Sequence, residues 1–185
     1  MARKYELALR ARRVEETRRR IVEATIALHE EVGPARTTVA AIAERAGVSR
    51  PTVYTQFPDD RSLFAACGAC FAERSPMPAL DGLELEQALH ALFRYYRDNE
   101  RMLAQVERDA LLLPALADVV GLVRRPIAAV VEEHAKRAGG RSPTVRAVLW
   151  LSFGFSTWQT LSRAGLDDAE AAGVMADLVT CAASA

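Results

Sequence analysis

Cys67 and Cys70 are separated by two residues, the spacing of a metal-binding pair or a redox dithiol. A redox pair of that kind opens a helix, whose N-terminus lowers a thiol pKa. Here Cys67 recurs with Phe64 and Phe71 at i, i+3 and i+7 of one helical stripe, which reads as core. His29, His90 and His134 lie far apart and share no ligand spacing. No G-x-S-x-G, P-loop or G-x-G-x-x-G run occurs, and nothing in the pattern sets a Ser or Cys beside a His. The residues therefore supply no catalytic constellation. Neither an enzyme, a metal nor a cofactor is expected.

The stretch that carries chemistry is Thr37–Phe57, TTVAAIAERAGVSRPTVYTQF. It reads as two short helices with a glycine turn between them, the skeleton of a helix-turn-helix. Thr38 caps the first and Ser49 the second. Pro51 falls in the second helix's first turn, where its missing N–H costs little. Ile42, Ala46, Val48 and Val53 sit where the two helices bury apolar side chains against each other, with Ala43 at their crossing. Gly47 permits the positive φ of the turn. Arg50, Pro51, Thr52, Tyr54, Thr55 and Gln56 remain on the outer face. They are short or planar side chains, several with hydrogen-bond donors, suited to a major-groove wall.

Those residues resemble the TetR family of transcriptional regulators, through the TTV start, the IAERAGVS turn and the PTVYTQF helix that leads into Pro58. The resemblance is strong over about residues 15–72. It implies a three-helix DNA-binding head, a connecting fourth helix, and a larger helical domain that dimerises and binds a small molecule. Carried over by position, Thr38 and Ser49 are caps, and Thr38 reaches a phosphate. Arg50, Pro51, Thr52 and Tyr54 face bases or nearby backbone, and Thr55 shares their face. Gln56 stands where a phosphate-contacting His is frequent. Ala40 stands where many members have a basic residue, and Asp60 where many have a phosphate-binding Lys. Arg61, or the basic residues Arg10, Arg12, Arg13, Arg18, Arg19 and Arg20, would then supply the phosphate attraction.

The elements that position this motif follow from periodicity and breakers. Ala and Leu total 54 of the 185 residues against 20 Val and Ile, and no sustained strand-like alternation occurs. The fold class is all-α, with about nine helices. The first runs from about Val14 to Val32, with Ile21, Ala24 and Leu28 on one face, and stops at Gly33-Pro34. Asp59 and Asp60 cap the fourth. Ser75-Pro76-Met77-Pro78 is the clearest break. Pro126 kinks or splits the seventh helix. Ser142-Pro143 opens an eighth that runs to about Arg163, and Asp167 with Glu170 forms a capping box for the ninth. The expected organisation is a basic arm over 1–12, the helix-turn-helix domain over 13–58, the connecting helix over 59–75, and a ligand-binding and dimerisation domain over 80–185.

Charge agrees with an anionic partner for the first third alone. Residues 1–65 hold 12 Lys and Arg against 9 Asp and Glu, and the remainder hold 12 against 15, so the formal net charge is zero. The longest uncharged run, Ala147–Ser162, is 16 residues long and contains Ser, Thr and Gln, too short and polar to span a bilayer. The N-terminus lacks an apolar signal region, and with three cysteines a cytoplasmic protein is expected.

The resulting expectation is a homodimeric, ligand-responsive repressor on a palindromic double-stranded DNA operator. Its last two helices, rich in small residues, would form the dimer interface. Phe71, Phe93, Tyr96, Met102, Trp150 and Phe153 are the candidate effector-binding residues. The residues also admit two alternatives without specific DNA binding: a helical small-molecule-binding protein, or a thiol-redox or metal-responsive one acting through Cys67 and Cys70.

Overall fold

Gly33 and Gly47 occupy the left-handed region, at φ 90° and 63°, and set the path of the first sixty residues. In the computed structural model, which describes residues 2–138 and 142–184, they punctuate helices α1 (Ala2–Val32), α2 (Val39–Ala46) and α3 (Arg50–Gln56). A 3₁₀ turn, Pro34–Arg36, follows the first glycine. The chain continues as α4 (Asp60–Arg74), α5 (Leu85–Asp98), α6 (Glu100–Ala110), α7 (Pro114–Val123), α8 (Arg125–Arg137), α9 (Pro143–Ser152), α10 (Phe155–Arg163) and α11 (Asp168–Ser184). Among the described residues there is no strand, and no helix is long and apolar enough to cross a membrane.

Among the described residues there are eleven helices where about nine were expected, because two long ones are broken. α7 and α8 part at Arg124, so Pro126 falls in the first turn of α8, where it costs no hydrogen bond. The run from Pro143 to Arg163 breaks at Phe153-Gly154, where a continuous helix was expected. At the other end, α1 starts at Ala2 and not near Val14. Ala, Leu and Arg dominate those added turns, and all are good helix formers.

The chain folds as two compact units, Met1–Pro76 with Ala104–Val120, and Met77–Leu103 with Gly121–Ala185. In the first, α2 and α4 pack on α1, and α3 packs on α2. Ile21, Ala24 and Leu28 of α1 are buried with Ile42, Ala46, Val53, Phe57, Leu63 and Phe64. Part of α6 joins this unit through Asp109, which is 1% exposed. Its Oδ2 accepts the Ala35 N–H at 2.8 Å, and its Oδ1 accepts from Arg108 Nε at 2.6 Å. Burial pushes the Asp109 carboxyl up, but the bonds from Arg108 and Ala35 outweigh it and hold the pKa below the ordinary value. Gly33 leaves room for this joint, since a Cβ there would lie 2.6 Å from Asp109 Oδ2.

The second unit is built on α5, whose Ala88, Leu89, Leu92, Phe93 and Tyr96 are buried, with α11 packed against it. The Tyr96 hydroxyl donates to the Phe153 carbonyl at 2.7 Å, inside the α9–α10 break. Asp168, at the start of α11, accepts two bonds from Arg97, both 2.8 Å, and one from Trp158 Nε1 at 3.0 Å. Burial raises its pKa, and those donors together bring it below the ordinary carboxylate value.

His29 gives the first unit an acid sensitivity. It is 4% exposed beside the Phe64 ring, and burial lowers its pKa to about 4, against the opposing pull of Asp109. Below pH 6.5 the unfolded chain takes up a proton that the folded chain refuses until about pH 4. Stability is therefore lost as pH falls through that window, by on the order of 3 kcal/mol for this one group. Urea midpoints measured between pH 7 and pH 4 should fall in the wild type, and His29→Leu should flatten that part of the dependence.

Candidate nucleic-acid interface

The left-handed turn at Gly47 closes with its N–H donating to Glu44 and the Val48 N–H donating to Ala43, at 3.2 and 2.9 Å. That turn delivers the chain to Ser49, whose Oγ accepts the Thr52 N–H at 3.2 Å. Pro51 has no N–H to offer, so Thr52 is the available donor. Thr38 caps α2 in the same way, accepting from the Ala41 N–H at 3.2 Å. Val53, 2% exposed, anchors the inner face of α3.

The outer face of α3 carries the residues expected of it. Arg50, Pro51 and Thr55 are exposed, Tyr54 is 58% exposed, and Thr52 and Gln56 are half-buried. Among the described residues, Arg50 and the Tyr54 hydroxyl are committed to no ion pair or hydrogen bond, so both are available to an incoming acceptor. The Thr52 hydroxyl bonds Ser49 Oγ at 2.8 Å, and the Thr55 hydroxyl donates back to the Pro51 carbonyl at 2.8 Å. Both can still accept a bond from outside. The exposed Ser49 and Thr38 lie at the N-termini of α3 and α2, where positive dipole ends favour an anion. Arg61 is 71% exposed and pairs at 3.5 Å with Asp118, a contact too wet to hold it firmly.

On α1, Arg10, Arg12, Arg13, Arg19 and Arg20 are exposed, whereas Arg18 is half-buried. Arg18 Cζ stands 4.1 Å from the centroid of the Phe57 ring, and its Nη1 donates to the Gln56 carbonyl at 2.9 Å. Sequence reading grouped Arg18 with its neighbours. The available signal was its position on the same helix face as Ile21, Thr25 and Leu28, but that spacing does not say what it meets.

Of the three thiols, that of Cys67 is arranged for packing. Cys67 is buried in α4, and burial, with Cys70 nearby, pushes its pKa up to about 12, so at neutral pH it is neither a nucleophile nor an anionic ligand. His134 is buried beside the Phe153 ring.

The candidate effector residues separate by environment. Phe93, Tyr96, Met102 and Phe153 are buried, Phe71 is half-buried, and Trp150 is 49% exposed. An open cleft of about 300 Å³ lies elsewhere, lined by Arg97, Ser162, Gly165, Leu166, Asp167 and Asp168. It is polar, and its Arg97 is already paired with Asp168. None of the six candidates lines it.

Comparison with known proteins places this geometry. Residues 21–67 match the model of the bacterial regulatory proteins of the tetR family. An HTH-type transcriptional regulator of Mycobacterium tuberculosis is 51% identical over 47 residues, 25% of either chain. That match therefore spans a quarter of the curated relative's length. Among solved structures, Salmonella enterica GusR aligns with a TM-score of 0.62 at 19% identity, covering 91% of this chain and 96% of that one. RolR in complex with the ligand resorcinol aligns at 0.54 and 20% identity, over 94% of each. These two likenesses extend the fold beyond the matched head.

The turn offers a clean stability test. A Cβ at Gly47 would find nothing nearer than Arg20 Nη1 at 3.7 Å, so the left-handed backbone alone penalises a side chain. Gly47→Ala should cost about 1–2 kcal/mol, and Gly47→Asn less, because Asn tolerates that conformation. Chemical denaturation of the three proteins measures both.

Proposed function

We propose that this chain, whose residues 21–67 match the tetR family of bacterial regulatory proteins, is a DNA-binding helix-turn-helix regulator of transcription, a ligand-responsive repressor that binds a palindromic operator as a homodimer. The observation that carries the reading is the outer face of α3. Arg50 and Tyr54 stand exposed on a helix that is capped at Ser49 and anchored by Val53. The fork of Arg50 suits the paired acceptors of guanine in the major groove, and Tyr54 suits a base edge or a phosphate. Thr38, Ser49, Arg61 and the exposed α1 residues Arg10, Arg12, Arg13, Arg19 and Arg20 act on the phosphates, fixing register. No catalytic step belongs to this reading.

Dimerisation is supported by apolar surface on the second unit. Trp150 and Leu151 of α9 are 49% and 53% exposed, and Val174 and Leu178 of α11 are 48% and 42% exposed. Val174, Leu178 and the exposed Cys181 recur at i, i+4 and i+7. α9 and α11 pack on each other. Such a surface in water favours a second copy over solvent. Leu149 and Phe153, in contrast, are consumed by the chain's own core.

An effector is the remaining part of the proposal. RolR, of the same fold, is complexed with ligand resorcinol. In this chain an effector among Phe93, Tyr96, Met102 and Phe153 must open packed core. Its signal can pass between units through the chain at Pro76-Met77, within α6, or within α7. It must favour the DNA-free arrangement, with a coupling of about 1–3 kcal/mol.

Selection of genomic fragments with purified protein, followed by binding titrations at several salt concentrations, tests the reading. Arg50→Ala or Tyr54→Ala should each cost about 1–3 kcal/mol on the selected site and relax discrimination at particular base pairs. Removing residues 1–12 should weaken all DNA alike and flatten the salt slope. Retention of full operator affinity and specificity by Arg50→Ala would refute the assignment of α3.

Leu178→Glu tests assembly, because it charges the apolar face of α11 without touching the core. Sedimentation at micromolar concentration should show dimer for the wild type and monomer for the variant. Operator affinity should fall with it, since two linked heads bind far more tightly than one.

A further inference from the structure

Arg18 is half-buried, and its guanidinium is engaged by a backbone carbonyl and an aromatic ring at the end of α3. α3 is seven residues long and leaves the helix at Phe57. The Phe57 N–H donates to the Val53 carbonyl at 2.8 Å, and Pro58 has no N–H to continue the series. The carbonyls of the last turn are therefore short of donors. Arg18 supplies one, from Nη1 to the Gln56 carbonyl at 2.9 Å. Its guanidinium also lies 4.1 Å from the centroid of the Phe57 ring, which is itself 3% exposed. A cation at a helix C-terminus is favourable, and a planar guanidinium can stack and donate together in a way that an ammonium cannot.

The opposite end of α3 is held by Ser49. The last turn, which carries Tyr54, Thr55 and Gln56, depends on Val53, Phe57 and Arg18. We propose that Arg18 is a positioning residue for DNA recognition. It clamps the C-terminal turn of α3 to α1 and so sets sequence discrimination, without contacting phosphate. This inference rests on the DNA-binding reading, and its test is arranged so that the two can fail separately.

The test compares wild type, Arg18→Lys and Arg18→Met. Without DNA, hydrogen exchange at the Phe57 amide should quicken by about tenfold in both variants, while α2 amides stay protected and report intact folding. With DNA, Arg18→Lys keeps the charge but loses the planar clamp. Its affinity ratio between operator and unrelated DNA should fall by about tenfold or more, with non-specific affinity and salt slope unchanged. A phosphate contact predicts the reverse: Arg18→Lys near wild type, and Arg18→Met weaker on all sequences with the salt slope reduced by about one. That pattern, or unchanged exchange at Phe57 in both variants, overturns the proposal. If wild type prefers no sequence, the DNA reading falls and takes Arg18's part in discrimination with it. The exchange arm then still decides whether Arg18 holds the helix end.

Discussion

A helix of seven residues cannot hold its shape alone in water, because nucleating a helical turn costs more than so few hydrogen bonds return. The presentation of Arg50 and Tyr54 depends on that constraint. α3 exists because each part of it is held from outside. Ser49 satisfies the N-terminal end, Val53 buries the inner face, and Arg18 with Phe57 secures the last turn. The exposed face is then left with no structural work and is open to a ligand. Side chains such as Arg50 are rigidly based and yet uncommitted, which is what a reader of base edges requires.

The same unit contains a second polar device at its other end. Asp109 reaches from α6 to the backbone of the turn after Gly33, with Arg108 balancing its charge. A buried carboxylate without donors would be expensive, and here the donors more than offset the desolvation. Gly33 has both the left-handed φ and the missing Cβ that the approach demands. In consequence residues of α6 and α7 fold with the N-terminal helices, and both helices run from one unit into the other. Tension or rotation along them has a direct covalent path to the unit that carries α3.

In the second unit, hydrogen bonding and aromatic packing serve the core. Tyr96 meets Phe155 edge-on at 5.4 Å while its hydroxyl is taken by the Phe153 carbonyl. Trp158 and Arg97 converge on Asp168 and fix the start of α11. The apolar residues left outside this core are those on α9 and α11. Leu149 and Phe153 are consumed by this core, whereas Leu178 is left outside it.

Much of the head was legible in the sequence, because its signals are local. Thr38, Ser49 and Asp59 cap the helices that follow them, Gly47 turns left-handed, and Val53 faces inward. Each follows from side-chain chemistry acting on neighbours within four residues. The all-helical class followed from periodicity for the same reason. The break at Phe153-Gly154 was not legible, because the hydroxyl that takes the Phe153 carbonyl comes from Tyr96, 57 residues away. Nor was the attachment of α6 to the turn at Ala35, across 74 residues, or the conversion of Arg18 from one charge among many into a clamp, across 38. A periodic pattern states which side of a helix is apolar and where a helix starts and stops. Which distant group meets a given carbonyl or carboxylate is decided only when the chain closes on itself, because each of these side chains had several equally satisfactory partners, water among them.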